Sequence, residues 1–167
     1  MKNKLVLIGS GILILVLGAI FSTKFFPQKE VHYHAGFKVF VEGKLQDFSS
    51  AKYMSVKLCG GGEKEHKEDE QLEKAHLHDG VGDVVHVEAI EAKWLDLFKN
   101  IKFNIDPGKP IDAYVNGAKV TDILNYPIKQ YDSVVILIGK NIDAKVYLNQ
   151  SVKKEYIEKV EKENESC

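Results

Sequence analysis

His76-Leu77-His78-Asp79-Gly80-Val81-Gly82-Asp83-Val84-Val85-His86-Val87-Glu88 gathers half of the six histidines of a 167-residue chain around a glycine-rich turn. The glycines supply the positive φ angles that a tight connection needs, and the valines suit a pleated, half-buried surface. The stretch therefore predicts two short strands joined by residues 79–83, with His78 paired to Val84 and His76 opposite His86. Side chains alternate faces along a strand, which puts His76, His78, His86 and Glu88 on one face and Leu77, Val85 and Val87 on the other. Chemistry is thus expected on one side of the hairpin and core on the other.

Downstream, residues 92–101 carry Trp94, Leu95, Leu97, Phe98 and Ile101 near helical spacing, the pattern of a helix that covers a sheet. Asp106-Pro107-Gly108-Lys109-Pro110 has turn chemistry, and the alternating Ile111 to Val115 runs into Asn116-Gly117, the strongest short-range hairpin signal. Residues 134–138 are a continuous aliphatic run, as expected of a strand buried on both faces near the sheet centre. From Ser151 the pattern turns helical, with Val152, Tyr156 and Val160 on one stripe and Glu155–Lys159 and Glu158–Lys162 as i,i+4 pairs.

Upstream, Tyr33, Ala35, Phe37, Val39 and Val41 form an apolar face opposite His32, His34, Lys38 and Glu42, with Glu42-Gly43 turning into a return strand over residues 44–48. Between 49 and 74, Gly60-Gly61-Gly62 and a charge-dense run predict a solvated loop. The fold class that results is α+β: a mixed sheet with one packed helix, β-grasp-like, and a C-terminal helix. Parallel pairing of the strand before the helix with the closing strand is the topological expectation.

Lys2 and Lys4 precede an uncharged apolar run over residues 5–21, close to the minimum for a bilayer-spanning helix and longer than the usual signal-peptide core. The expected organisation is a membrane anchor over 1–27, an α+β extracytoplasmic domain over 28–150 and a C-terminal helical tail over 151–167. A short basic head before a long polar domain favours a single-pass protein at the cell membrane with its domain on the outer side. A formal net charge of -1 and a basic complement made only of lysine argue against a nucleic-acid partner. Gly80-x-Gly82 lacks the third glycine and following helix of a dinucleotide fingerprint, and the triple glycine lacks the Gly-Lys-Ser/Thr of a phosphate loop, so no nucleotide cofactor is expected.

Five motifs, His32-x-His34-Ala35-x-Phe37-x-Val39-x-Val41-x-Gly43-Lys44, the 76–87 stretch, Trp94-x-Asp96-x-Phe98, Tyr114-Val115-Asn116-Gly117 and Tyr126-x-Ile128-x-x-Tyr131-Asp132-Ser133-Val134-Val135, span nearly all of the chain beyond the anchor. Together they resemble an uncharacterised set of small membrane-anchored, histidine-containing extracytoplasmic proteins from archaea and uncultured bacterial lineages. Some of these carry the designation protein-disulfide isomerase. That resemblance implies a thiol-disulfide oxidoreductase, yet such an enzyme needs paired thiols such as C-x-x-C, and this chain has only Cys59 and Cys167. Outside the cell an even count allows one disulfide, which over so long a loop would contribute on the order of 4 to 5 kcal/mol. Two unrelated thiols, or Cys59 as a thiolate metal ligand, are the other readings.

The histidines carry the remaining chemistry. Residues two apart on a strand project the same way, so His32-x-His34 and His76-x-His78 each aim two imidazoles at one point, and His86 opposite them completes a set that suits zinc or copper. Asp79, Asp83 and Glu88 are placed to orient such ligands, with turn capping as the competing role of the aspartates. A polar histidine face without metal and a β-grasp module binding a protein or envelope partner are the alternatives. No acidic residue stands out as a general base, so the reading leans away from an enzyme.

Overall fold

The computed structural model describes residues 31–55, 70–140 and 143–164. The expected anchor over 1–27 and the cysteines Cys59 and Cys167 lie outside the described residues, as does His66. Among the described residues no helix is long and apolar enough to cross a membrane.

The fold is α+β with a mixed sheet. Among the described residues six strands, β1 (Tyr33–Val41), β2 (Lys44–Leu45), β3 (Val84–Val87), β4 (Ile111–Val115), β5 (Ala118–Val120) and β6 (Ser133–Ile138), accompany four α-helices: α1 (Glu70–Lys74), α2 (Trp94–Asn100), α3 (Ala144–Leu148) and α4 (Lys154–Asn164). Along the sheet the order is β2-β1-β6-β4-β5, with β3 pairing β1 off that path. The closing strand β6 runs parallel to β1 and antiparallel to β4, which makes it central, as its aliphatic run requires.

The expected parallel pairing of 84–87 with 134–138 is not made. β3 instead pairs antiparallel with the first half of β1, Tyr33 opposite Val87 and His34 opposite His86. The reason lies in the length of β1, whose nine residues serve several neighbours. Its even-numbered groups reach the β6 side, as in Gly36 N–H to Asp132 O, and its odd-numbered ones reach the other side, as in Phe37 N–H to Asp83 O and Gln46 N–H to Val39 O. So β2 and β3 lie end to end on one edge of β1, and β6 holds the opposite edge.

Alternation then sorts the residues. Ala35, Phe37 and Val39 of β1, Val85 and Val87 of β3, and Leu77 enter one core with Trp94, Leu97, Phe98 and Ile101 of the α2 segment. Asp96 starts α2 by accepting the Lys93 N–H at 3.0 Å. Lys102, at φ 53°, turns the chain out of it while Phe103 N–H bonds Phe98 O. On the sheet's other face Phe40, Val135 and Leu137 pack with Tyr147 of α3, and Val84 packs with Val152, Ile157 and Val160 at α4. The stripe of α4 is therefore Ile157 and Val160; Tyr156, expected on it, is 41% exposed. The observed i,i+4 pairs are Lys154–Glu158 and Lys159–Glu163 rather than the two expected.

The two hairpins come out as the turn chemistry requires. Glu42 and Gly43 have φ 49° and 78°, and Asn116 and Gly117 have φ 51° and 83°, the doubly positive pattern of type I′ turns. The stretch expected to be loop from 49 to 74 contains a 3-10 turn at Ala51–Tyr53 and the α1 helix at its end. Asn100 anchors α1 by donating to the carbonyls of Gln71 and Ala75.

Candidate metal centre

Three chain segments bring five histidines onto the α4 side of the sheet. His34 lies opposite His86 in the β1–β3 ladder, and an isolated bridge sets His76 opposite His86 on the far edge of β3. His76 and His86 exchange both backbone hydrogen bonds, at 3.0 and 2.9 Å. The pairing of His78 with Val84 gives way to a turn: Val81 N–H bonds His78 O, with Asp79 and Gly80 at φ 56° and 73°. Gly82 serves a different purpose, because a Cβ there would stand 2.3 Å from the Ser49 backbone nitrogen. The turn is thereby pressed against the residue 48–49 segment, and His78 is swung back over His86.

His86 is the hub. Its ring centroid lies 4.5, 4.7, 4.8 and 4.7 Å from those of His32, His34, His76 and His78. Its Nδ1 stands 2.9 Å from His78 Nε2 and 3.0 Å from His34 Nε2. His34, His76 and His86 are buried, His78 is half-buried and His32 is exposed.

The outward-facing nitrogens meet acceptors. His76 Nδ1 donates to Leu72 O at 3.1 Å, and His78 Nδ1 to Asp79 Oδ2 at 2.5 Å. His86 Nε2 faces Glu88 Oε1 at 3.4 Å, and His34 Nδ1 faces Glu161 Oε1 at 3.7 Å. Carbonyl and carboxylate oxygens only accept, so they hold the protons of His76, His78 and His86 on the outward nitrogens, whereas His34 Nδ1 stands just beyond hydrogen-bond reach of Glu161. The inward nitrogens of His78 and His86 then present two lone pairs to each other, an arrangement a cation relieves.

Burial and then the His86 ring push the pKa of His34 down to about 4, with Glu161 pulling the other way. Burial likewise lowers His76 to about 4 and lowers His86, the latter against its hydrogen bond to Glu88. These rings are neutral at pH 7, the form that binds metal. Two sets, His32/His34/His86 and His76/His78/His86, could each hold a metal ion, the ligand atoms of each set lying within 4.8 Å of one another. With Zn–N bonds of about 2.0 to 2.1 Å, tetrahedral ligand nitrogens stand roughly 3.3 Å apart, so the His78–His86 and His34–His86 contacts are within a few tenths of an ångström of that spacing, and the third ligand atom of each set lies within 4.8 Å.

All five expected ligands therefore come together. Of the three expected orienting acids, Asp79 and Glu88 back histidines, whereas Asp83 pairs with Lys38 Nζ at 2.8 Å. Glu161, which is not among the expected acids, faces His34 from α4, and Tyr131 Oη–H donates to its Oε2 at 2.6 Å. A scan against family models, a search of curated proteins and a search of solved structures each return no match to this chain.

Proposed function

We propose that the chain is a membrane-anchored extracytoplasmic module that binds a transition metal, zinc or copper, through its strand histidines. The observation that carries this reading is the contact of His86 Nδ1 with both His78 Nε2 and His34 Nε2 while all three rings are backed by carboxylates. A solvated polar face does not need its imidazole lone pairs pointed at one another; a metal centre does, and it uses such carboxylates to fix tautomer and raise ligand basicity. The apolar run over residues 5–21 supports the anchor, and the sequence resemblance supports the outer location.

The sheet order, with a closing strand parallel to the first and a helix across one face, supports a β-grasp arrangement extended by β3. In it the hairpin of the metal centre is an addition to the core sheet. An added element whose buried polar residues are mostly histidines is more readily explained by a ligand than by stability.

The test is metal uptake by the purified full chain. Elemental analysis, followed by thermal denaturation with and without Zn²⁺ or Cu²⁺, should show bound metal and a stabilisation of about 2.7 kcal/mol at a hundredfold excess over the dissociation constant. A melting temperature that ignores both ions, in a chain that purifies without metal, rejects the proposal.

A further inference from the structure

The two histidine sets share one residue, and the way they share it bears on how an ion would behave there. This step rests on the metal-binding reading above. His32/His34/His86 contains the exposed His32, whereas His76/His78/His86 contains His76, which is 3% exposed. Each set has two buried members, and the third is exposed in one (His32) and half-buried in the other (His78), so the first is the outer, more open station and the second the inner one.

The shared ligand decides how many ions fit. His86 approaches His34 and His78, one from each set, through the same nitrogen, Nδ1. Its other nitrogen, Nε2, is turned to Glu88. An imidazolate bridge between two ions needs one nitrogen for each, and that arrangement is not presented here. A single lone pair on Nδ1 binds one ion at a time.

The geometry points to a single-ion transfer site: a labile d10 cation, Zn²⁺ being the reference case, enters at His32 and His34 and moves to His76 and His78 while keeping its bond to His86 Nδ1. Each move breaks metal–nitrogen bonds on one side and forms them on the other, with no change in oxidation state and no proton released beyond those lost on first binding. His34 Nε2 and His78 Nε2 flank the shared nitrogen at 3.0 and 2.9 Å, so the ion is never left with one ligand. A d10 ion has no geometric preference from its d electrons and tolerates such an exchange. Five histidines exceed what one closed site needs, and the surplus is accounted for as an entry path. The site thus acquires and passes on an ion rather than using it for catalysis.

Equilibrium dialysis of the detergent-solubilised full chain against Zn²⁺, followed by transfer to a chromogenic chelator, tests this. The intact chain should hold one ion, and His86→Ala should hold none. His32→Ala should still hold one but release it about tenfold more slowly, since the outer exit is lost, and His76→Gln should hold one and release it about tenfold faster. If His76→Gln melts out before the assay, His78→Gln, at the less buried inner ligand, takes its place. Two ions per chain, loss of the ion in both the His32 and the inner variants, or release rates equal to the intact chain's overturn the transfer site while leaving metal binding intact. Failure of the intact chain to hold any ion overturns both.

Discussion

His34 Nδ1 is buried without a hydrogen-bond partner and faces Glu161 Oε1 across 3.7 Å, from β1 to the last turns of α4. A movement of under an ångström closes that gap to a charge-assisted hydrogen bond. Metal at His34 Nε2 would make Nδ1–H more acidic and draw it toward the carboxylate. In the proposed metal centre Glu161 would therefore act as a positioning residue. Glu161→Gln should weaken Zn²⁺ binding about tenfold, within the range that orienting partners of metal ligands usually show. Calorimetric titration reads this directly, and Glu161→Asp, which keeps the charge, should recover part of the loss. Equal affinities for the intact chain and Glu161→Gln would dismiss the role.

The depressed histidine pKa values set a pH dependence of stability. His34 and His76 titrate near 4 in the fold and near 6.5 when unfolded. Between those values the unfolded chain binds more protons, so stability rises with pH from about 4 to 6.5 and is level above. At pH 5 one such residue costs the fold about 2 kcal/mol relative to pH 7. Urea midpoints at pH 7 and pH 5 in the presence of chelator should differ accordingly, and His76→Gln should flatten the difference. Coincident midpoints at the two pH values would be incompatible with the buried neutral rings.

Much of this arrangement is legible from residue order alone, and the limits have physical causes. Alternation assigns Leu77, Val85 and Val87 to the core and His76 and His86 to the opposite face, because a period of two admits no other choice once one face is apolar. Glu42-Gly43 and Asn116-Gly117 announce their turns by conformational preference. The pairing of β6 with β1 is not legible in the sequence because pairing between distant strands has no local signature, and only the nine-residue length of β1 hints that it serves more than one neighbour. The approach of Glu161 to His34 is not legible either, because it depends on a helix docking over a strand. One sequence feature does mark that docking. Gly36 interrupts an otherwise well-formed strand beside His34, and a glycine inside a strand marks the close approach of another element.

That approach yields a third prediction. A Cβ on Gly36 would lie 2.5 Å from Val152 Cβ and 2.7 Å from its Cγ1, with Ile157 Cδ1 at 3.0 Å. Val152 is β-branched and stiff, so the strain falls on the seating of α4. Gly36→Ala should cost about 1 to 3 kcal/mol by overpacking, seen as a lower denaturation midpoint. Because the displaced helix carries Glu161, Zn²⁺ affinity should fall with it. Unchanged stability in Gly36→Ala would mean that α4 is seated less tightly than the contacts imply.

The last prediction separates the acids by what they face. Asp79 accepts from His78 Nδ1 and Glu88 stands behind His86 Nε2, so Asp79→Asn and Glu88→Gln should each lower Zn²⁺ affinity about tenfold. Asp83 lies in the same turn and carries the same charge, but its carboxylate is held by Lys38. Both partners are partly exposed, and such pairs contribute about 1 kcal/mol or less. Asp83→Asn should therefore leave affinity within about twofold of the intact chain, since long-range attraction between a solvated carboxylate and the ion is screened over about 10 Å at moderate salt. If all three substitutions weaken binding alike, and the difference vanishes at high salt, the acids act through their summed charge and not through the histidines they touch.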